Sequence, residues 1–128
     1  MLYHFTSRAN WEQIAADGEI KALSPPESEL QPKVVHLTIE DSARGLPPSV
    51  VTEVMISVRD EALRATSFLE WWSFEVPLDV QTWYEADIQA ALGWPTRPEV
   101  HWYVVKGAIP SRYWVEARSR VDGARLWP

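Results

Sequence analysis

The chain contains no cysteine, which excludes a disulfide framework and any thiolate-held metal and fits a reducing cytoplasm. Glycine is scarce: the five glycines in 128 residues are scattered and build neither a Gly-x-Gly-x-x-Gly fingerprint nor a Walker loop. A G-x-S-x-G elbow is also missing, so the serine-hydrolase arrangement is not expected. Positive charge is in deficit, with 12 Lys and Arg against 18 Asp and Glu and a net charge of −6. An extended nucleic-acid surface is therefore not expected, because such surfaces work by clustered basic side chains that release counterions; a local basic cleft remains compatible. No apolar run approaches the ~20 residues that span a bilayer, and the first residues enter a strand pattern directly. The expectation is a cytoplasmic protein with neither signal peptide nor membrane segment.

Against these absences stands an apolar content of 46% in 128 residues, enough for one core and short for two, so a single domain over residues 1–128 is expected. Eight tryptophans are the other surplus. Each large ring buries roughly 150–250 Å², so they serve either as core bulk or as flat surfaces for a planar ligand such as a nucleobase.

The chain opens on Leu2-Tyr3-His4-Phe5-Thr6, whose period-two alternation predicts a strand. Tyr3 and Phe5 form an aromatic face suited to a core, and Leu2, His4 and Thr6 form a face carrying an imidazole and a hydroxyl. Ser7 then reads as an N-cap, with Trp11, Ile14 and Ala15 at helical spacing and Gly18 at the C-terminal left-handed position. Glu19 to Lys21 is a short extended exit, and Ser24-Pro25-Pro26 opens a loop. Lys33 to Thr38 is a second strand with Val34, His36 and Thr38 on one side, repeating the His and Thr of the first. Val50 to Val58 is a third strand, with Val50, Thr52, Val54, Ile56 and Val58 facing inward. Asp60 to Arg64 suits a helical turn. Pro77 and Asp79 open a second helix carrying Val80, Tyr84, Ile88 and Ala91 and stopping at Gly93. Val100 to Lys106 is a further strand, Gly107 to Pro110 a turn, and Ser111 to Val115 a short helix or strand. Leu126 and Trp127 fold back on the core. Strands interrupted by two helices, without βαβ alternation, give an α+β class.

His4, His36 and His101 are the only histidines, and none pairs with another at helical metal-ligand spacing, so no metal site is expected. What remains is the His-Thr strand face, a mid-chain aromatic cluster of Trp71, Trp72, Phe74 and Tyr84, and Glu99 at the head of a late strand.

Three stretches carry a family resemblance. Leu2 to Thr6 with Trp11, Ile14 and Asp17-Gly18-Glu19-Ile20 resembles the opening of ADP-ribosyltransferase-fold proteins, especially small prokaryotic and phage toxins and the RNA 2′-phosphotransferases. Val34 to Thr38 is similar to the strand after their variable loop. Pro98-Glu99-Val100 through Gly107-Ala108-Ile109-Pro110 resembles their late strand with a catalytic Glu and the turn after it. The resemblance covers about half of the chain.

It implies two small, mostly antiparallel sheets with two main helices, forming an NAD-sized cleft in which NAD is a substrate. His4 would bind the ribose beside the nicotinamide, and Thr6 would assist. Glu99 would bind the ribose 2′-hydroxyl and stabilise an oxocarbenium, where a fixed carboxylate helps most in the transition state. Trp72 and Tyr84 are the candidates to lie over the nicotinamide, and Arg44, with Arg8 and Arg59, to reach a pyrophosphate. Arg97 stands where many members carry a second carboxylate, which argues against arginine as acceptor. The implied function is ADP-ribose transfer from NAD to an undetermined macromolecular acceptor, in a toxin or phage–host conflict setting. Its alternative is a non-catalytic protein that sequesters NAD-derived nucleotides, ADP-ribose-like or cyclic. Removal of an RNA 2′-phosphate fits the acidic charge less well.

Overall fold

A computed structural model describes residues 1–22, 34–42, 46, 50–59, 65–67 and 102–128 of the chain. Strand β1 (Leu2–Thr6) runs into helix α1 (Arg8–Asp17), followed by β2 (Glu19–Ile20), β3 (Val34–Thr38), β4 (Val54–Val58) and β5 (Thr66–Ser67). Then come β6 (Trp102–Lys106), β7 (Ile109–Pro110), a 3-10 turn at Ser111–Tyr113, β8 (Trp114–Ser119) and β9 (Arg125–Trp127). The class is α+β, as expected. The described strands divide into two sheets, one of seven strands in the order β5-β6-β3-β1-β4-β8-β9 and one a two-stranded β2-β7 ribbon. Every pairing among the described strands is antiparallel. The second helix expected after Pro77, and the turn at Asp60 to Arg64, lie outside the described residues.

Helix α1 forms where its caps allow. Ser7 is extended and its hydroxyl accepts from the Asn10 N–H at 3.1 Å, which satisfies one of the orphan donors of the first turn. Gly18 ends the helix in the left-handed region at φ 71°, with its N–H donating to the Ile14 carbonyl at 2.9 Å. Only a residue without a Cβ takes that conformation freely. The Gly18 carbonyl in turn accepts from the Ser111 N–H at 2.9 Å, which pins the helix exit to the 3-10 turn beside the β2-β7 ribbon. Trp11 is the buried anchor of α1 and Ile14 is half-buried, whereas Ala15, expected on the same stripe, is exposed.

Facing in the sheet follows from register. Tyr3 lies opposite Thr38 on β3 and Ser57 on β4, and directly opposed residues share a face. Leu2, His4 and Thr6 therefore share the other face with Val35 and Leu37, with Val54, Ile56 and Val58, and with Val105. That face is the core: Leu2, Val35, Leu37, Val54, Ile56, Val58 and Val105 form one buried cluster with Trp11, Ile20, Ile109, Trp114 and Ala117. The sequence-based expectation is thus inverted, since the imidazole side of β1 looks into the core and the Tyr3–Phe5 side looks away from it. Alternation did not reveal this because Phe5 at 7% and Thr6 at 7% exposure are both buried. Strand β4 begins at Val54, four residues later than expected, and its inward Val54, Ile56 and Val58 are as predicted.

Three aromatic rings lock the far side of the core. Trp114 lies 5.8 Å from Trp11 and meets Trp127 edge-on at 5.3 Å, an arrangement the ring quadrupoles favour. The Trp114 indole N–H donates to the Ile109 carbonyl at 3.3 Å. Residues 125–127, expected only to fold back, add a strand to the sheet through the β8-β9 hairpin. Its turn contains Gly123 at φ 77° and an Asp122 carboxylate accepting from the Ala124 N–H at 2.9 Å.

Candidate functional site

The site is built around His4, on the central strand of the seven. Its Nδ1 donates to the backbone carbonyl of His36 at 2.9 Å. A carbonyl only accepts, so Nδ1 carries the proton and Nε2 is left as an acceptor. The bond lies where β1 and β3 separate, for only Tyr3 and Thr38 are in register between these strands, against five registered pairs between β1 and β4. A side chain thus takes over a carbonyl at the edge of a short ladder. His4 is half-buried, and Nε2 has no partner among the described residues.

Desolvation holds His4 below the ordinary histidine pKa, against the opposing pull of the His36 carbonyl, which favours the protonated ring. His4 is therefore neutral at pH 7. Thr6, two residues on and on the same face, is buried at 7% exposure. Its hydroxyl makes no hydrogen bond among the described residues, which is uncommon for a buried polar group.

His36 does not join His4 on one polar face, as the repeated His-Thr pattern suggested. Register puts the His36 side chain on the Tyr3–Phe5 side, opposite Val104 on β6. Surrounding protein removes much of its hydration and pushes its pKa down to about 4, with the nearby His4 contributing. The ring is exposed, and contact with water tempers the depth of that shift while leaving its sign. Thr38, the hydroxyl of the second motif, is committed to the chain itself, accepting from the Glu40 N–H at 3.1 Å.

The other proposed site residues, Glu99, Trp72, Tyr84 and Arg44, lie outside the described residues, as do Trp71, Phe74, Arg97 and His101. Of the sequence-derived nucleotide-site set, His4 and Thr6 fall among the described residues, and they share one face of β1. Arg8 is exposed at the start of α1, where its backbone N–H donates to Glu53 Oε1 at 3.3 Å. Trp11, Trp102, Trp114 and Trp127 are buried or half-buried; Trp11 and Trp114 belong to the core cluster and Trp127 packs against it.

A residue that sequence reasoning passed over is Tyr103 on β6. Leu37 on β3 is registered with Tyr103, so Tyr103 shares the His4 side of the sheet. Its ring packs against the core cluster, and its hydroxyl has no partner among the described residues. The signal available in the sequence was alternation along Trp102 to Lys106, which places Tyr103 and Val105 on one face.

No helix among the described residues is long and apolar enough to cross a membrane. Nor does any group of three His, Asp or Glu side chains among those residues stand close enough to hold a metal ion. No protein-family model, curated protein or solved structure matches this chain.

Proposed function

We propose that this protein transfers ADP-ribose from NAD to a macromolecular acceptor, with His4 and Thr6 on one wall of the pocket. The observation that carries the reading is the fixed tautomer of His4. A neutral imidazole locked at Nδ1 by a backbone carbonyl offers Nε2 as an acceptor to a sugar hydroxyl. Its depressed pKa also suits the chemistry, because breaking the nicotinamide–ribose bond builds positive charge on the sugar and a protonated imidazole there would oppose it. The buried Thr6 hydroxyl supplies a second polar group on the same face. Glu99 would stabilise the oxocarbenium, with Trp72 or Tyr84 over the nicotinamide and Arg44 at the pyrophosphate. This role requires the Glu99 carboxylate to reach the side of the sheet that His4 occupies; Tyr103, four residues later, is on that side.

The same geometry at His4 serves a protein that binds an NAD-derived nucleotide without turning it over. Incubation with NAD, following free nicotinamide and ADP-ribosylated products from a cell extract by mass spectrometry, separates the two. Release of nicotinamide with mass-shifted products supports transfer. Tight nucleotide binding without release, lost in His4→Ala, assigns the pocket to sequestration instead.

A further inference from the structure

We draw no further inference here: the strongest candidate, the apolar face of the seven-stranded sheet turned away from the core cluster, where Phe5, Val34, Trp102 and Val104 are buried, carries none because nothing among the described residues shows what covers it.

Discussion

The His4 ring donates from Nδ1 to the main-chain carbonyl of His36, 2.9 Å away, at the point where β1 and β3 leave register. The bond makes β3 the orienting partner of the proposed sugar-binding group. His4→Ala should weaken NAD binding about tenfold or more, by loss of the acceptor, and abolish nicotinamide release. It should also cost about 1 kcal/mol of stability, since the His36 carbonyl loses its partner. Isothermal titration and urea unfolding measure the two effects separately. Wild-type affinity in the alanine variant would remove His4 from the pocket.

Glu99→Gln separates chemistry from binding. Under the transferase reading, nicotinamide release falls by two orders of magnitude or more, on the scale of about 3 kcal/mol for a lost charge-stabilising group. Nucleotide affinity, in contrast, changes little. Single-turnover kinetics with labelled NAD give the comparison; unchanged turnover in the variant would exclude Glu99 as the catalytic carboxylate.

Acid should destabilise the protein through its histidines. Both His4 and His36 have folded-state pKa values below the ordinary 6.5, that of His36 at about 4. Between these limits the unfolded chain binds more protons than the folded one, so unfolding free energy rises with pH in that window and is lost as pH falls from 6.5 towards 4. The exposure of His36 discounts its share, leaving an effect of roughly 1 kcal/mol. Urea unfolding at pH 7.5 and 5 should show this loss, reduced in His36→Gln. A variant as acid-sensitive as wild type would mean that His36 contributes nothing to the slope.

Trp114 is the ring on which Trp11 and Trp127 converge. Trp114→Ala should cost about 3–5 kcal/mol, from the cavity and the lost transfer free energy, which is a large part of what a domain of this size has. Trp127→Ala, at a half-buried ring, should cost less than half of that. Chemical unfolding of both variants fixes the order, and a larger loss at Trp127 would contradict the packing described.

At Gly18 the backbone has φ 71°, and a Cβ built there would meet nothing within 4 Å. Gly18→Ala should therefore lower stability by about 1 kcal/mol through backbone conformation alone, without a clash. Gly18→Asn should lose less, because Asn tolerates the left-handed region. Equal melting temperatures for all three proteins would argue against a left-handed cap.

The parts of this fold that were legible in the sequence are those specified locally. Ser7, Trp11 and Gly18 mark the start, buried face and stop of α1 within a dozen residues, and each acts through its immediate neighbours. Strands β3, β4 and β6 were visible from alternation and β-branched content. Which way β1 faces was not, because both of its sides are covered and only its register with Thr38 and Ser57 decides the matter. The pairing of β9 with β8 was similarly hidden, since Arg125 and Leu126 alternate too briefly to signal a strand. Of the candidate site, His4 and Thr6 were visible as chemistry-bearing residues at strand spacing. That Tyr103 shares the face of His4 was not, because the relation runs through the intervening strand β3, which no local pattern encodes.

The sheet order also bears on how fast the molecule can form. Its central strand is β1, whose partners β3 and β4 lie tens of residues later, and β4 must in turn wait for β8. Among the described strands only β8 and β9 are joined by a tight hairpin turn. Loop closure must therefore be completed over long stretches before most ladders stabilise one another, which places refolding in the millisecond-to-second range of non-local β topologies. Until β3 and β4 arrive, β1 has two open edges, so the segment that holds His4 is exposed to mispairing during synthesis.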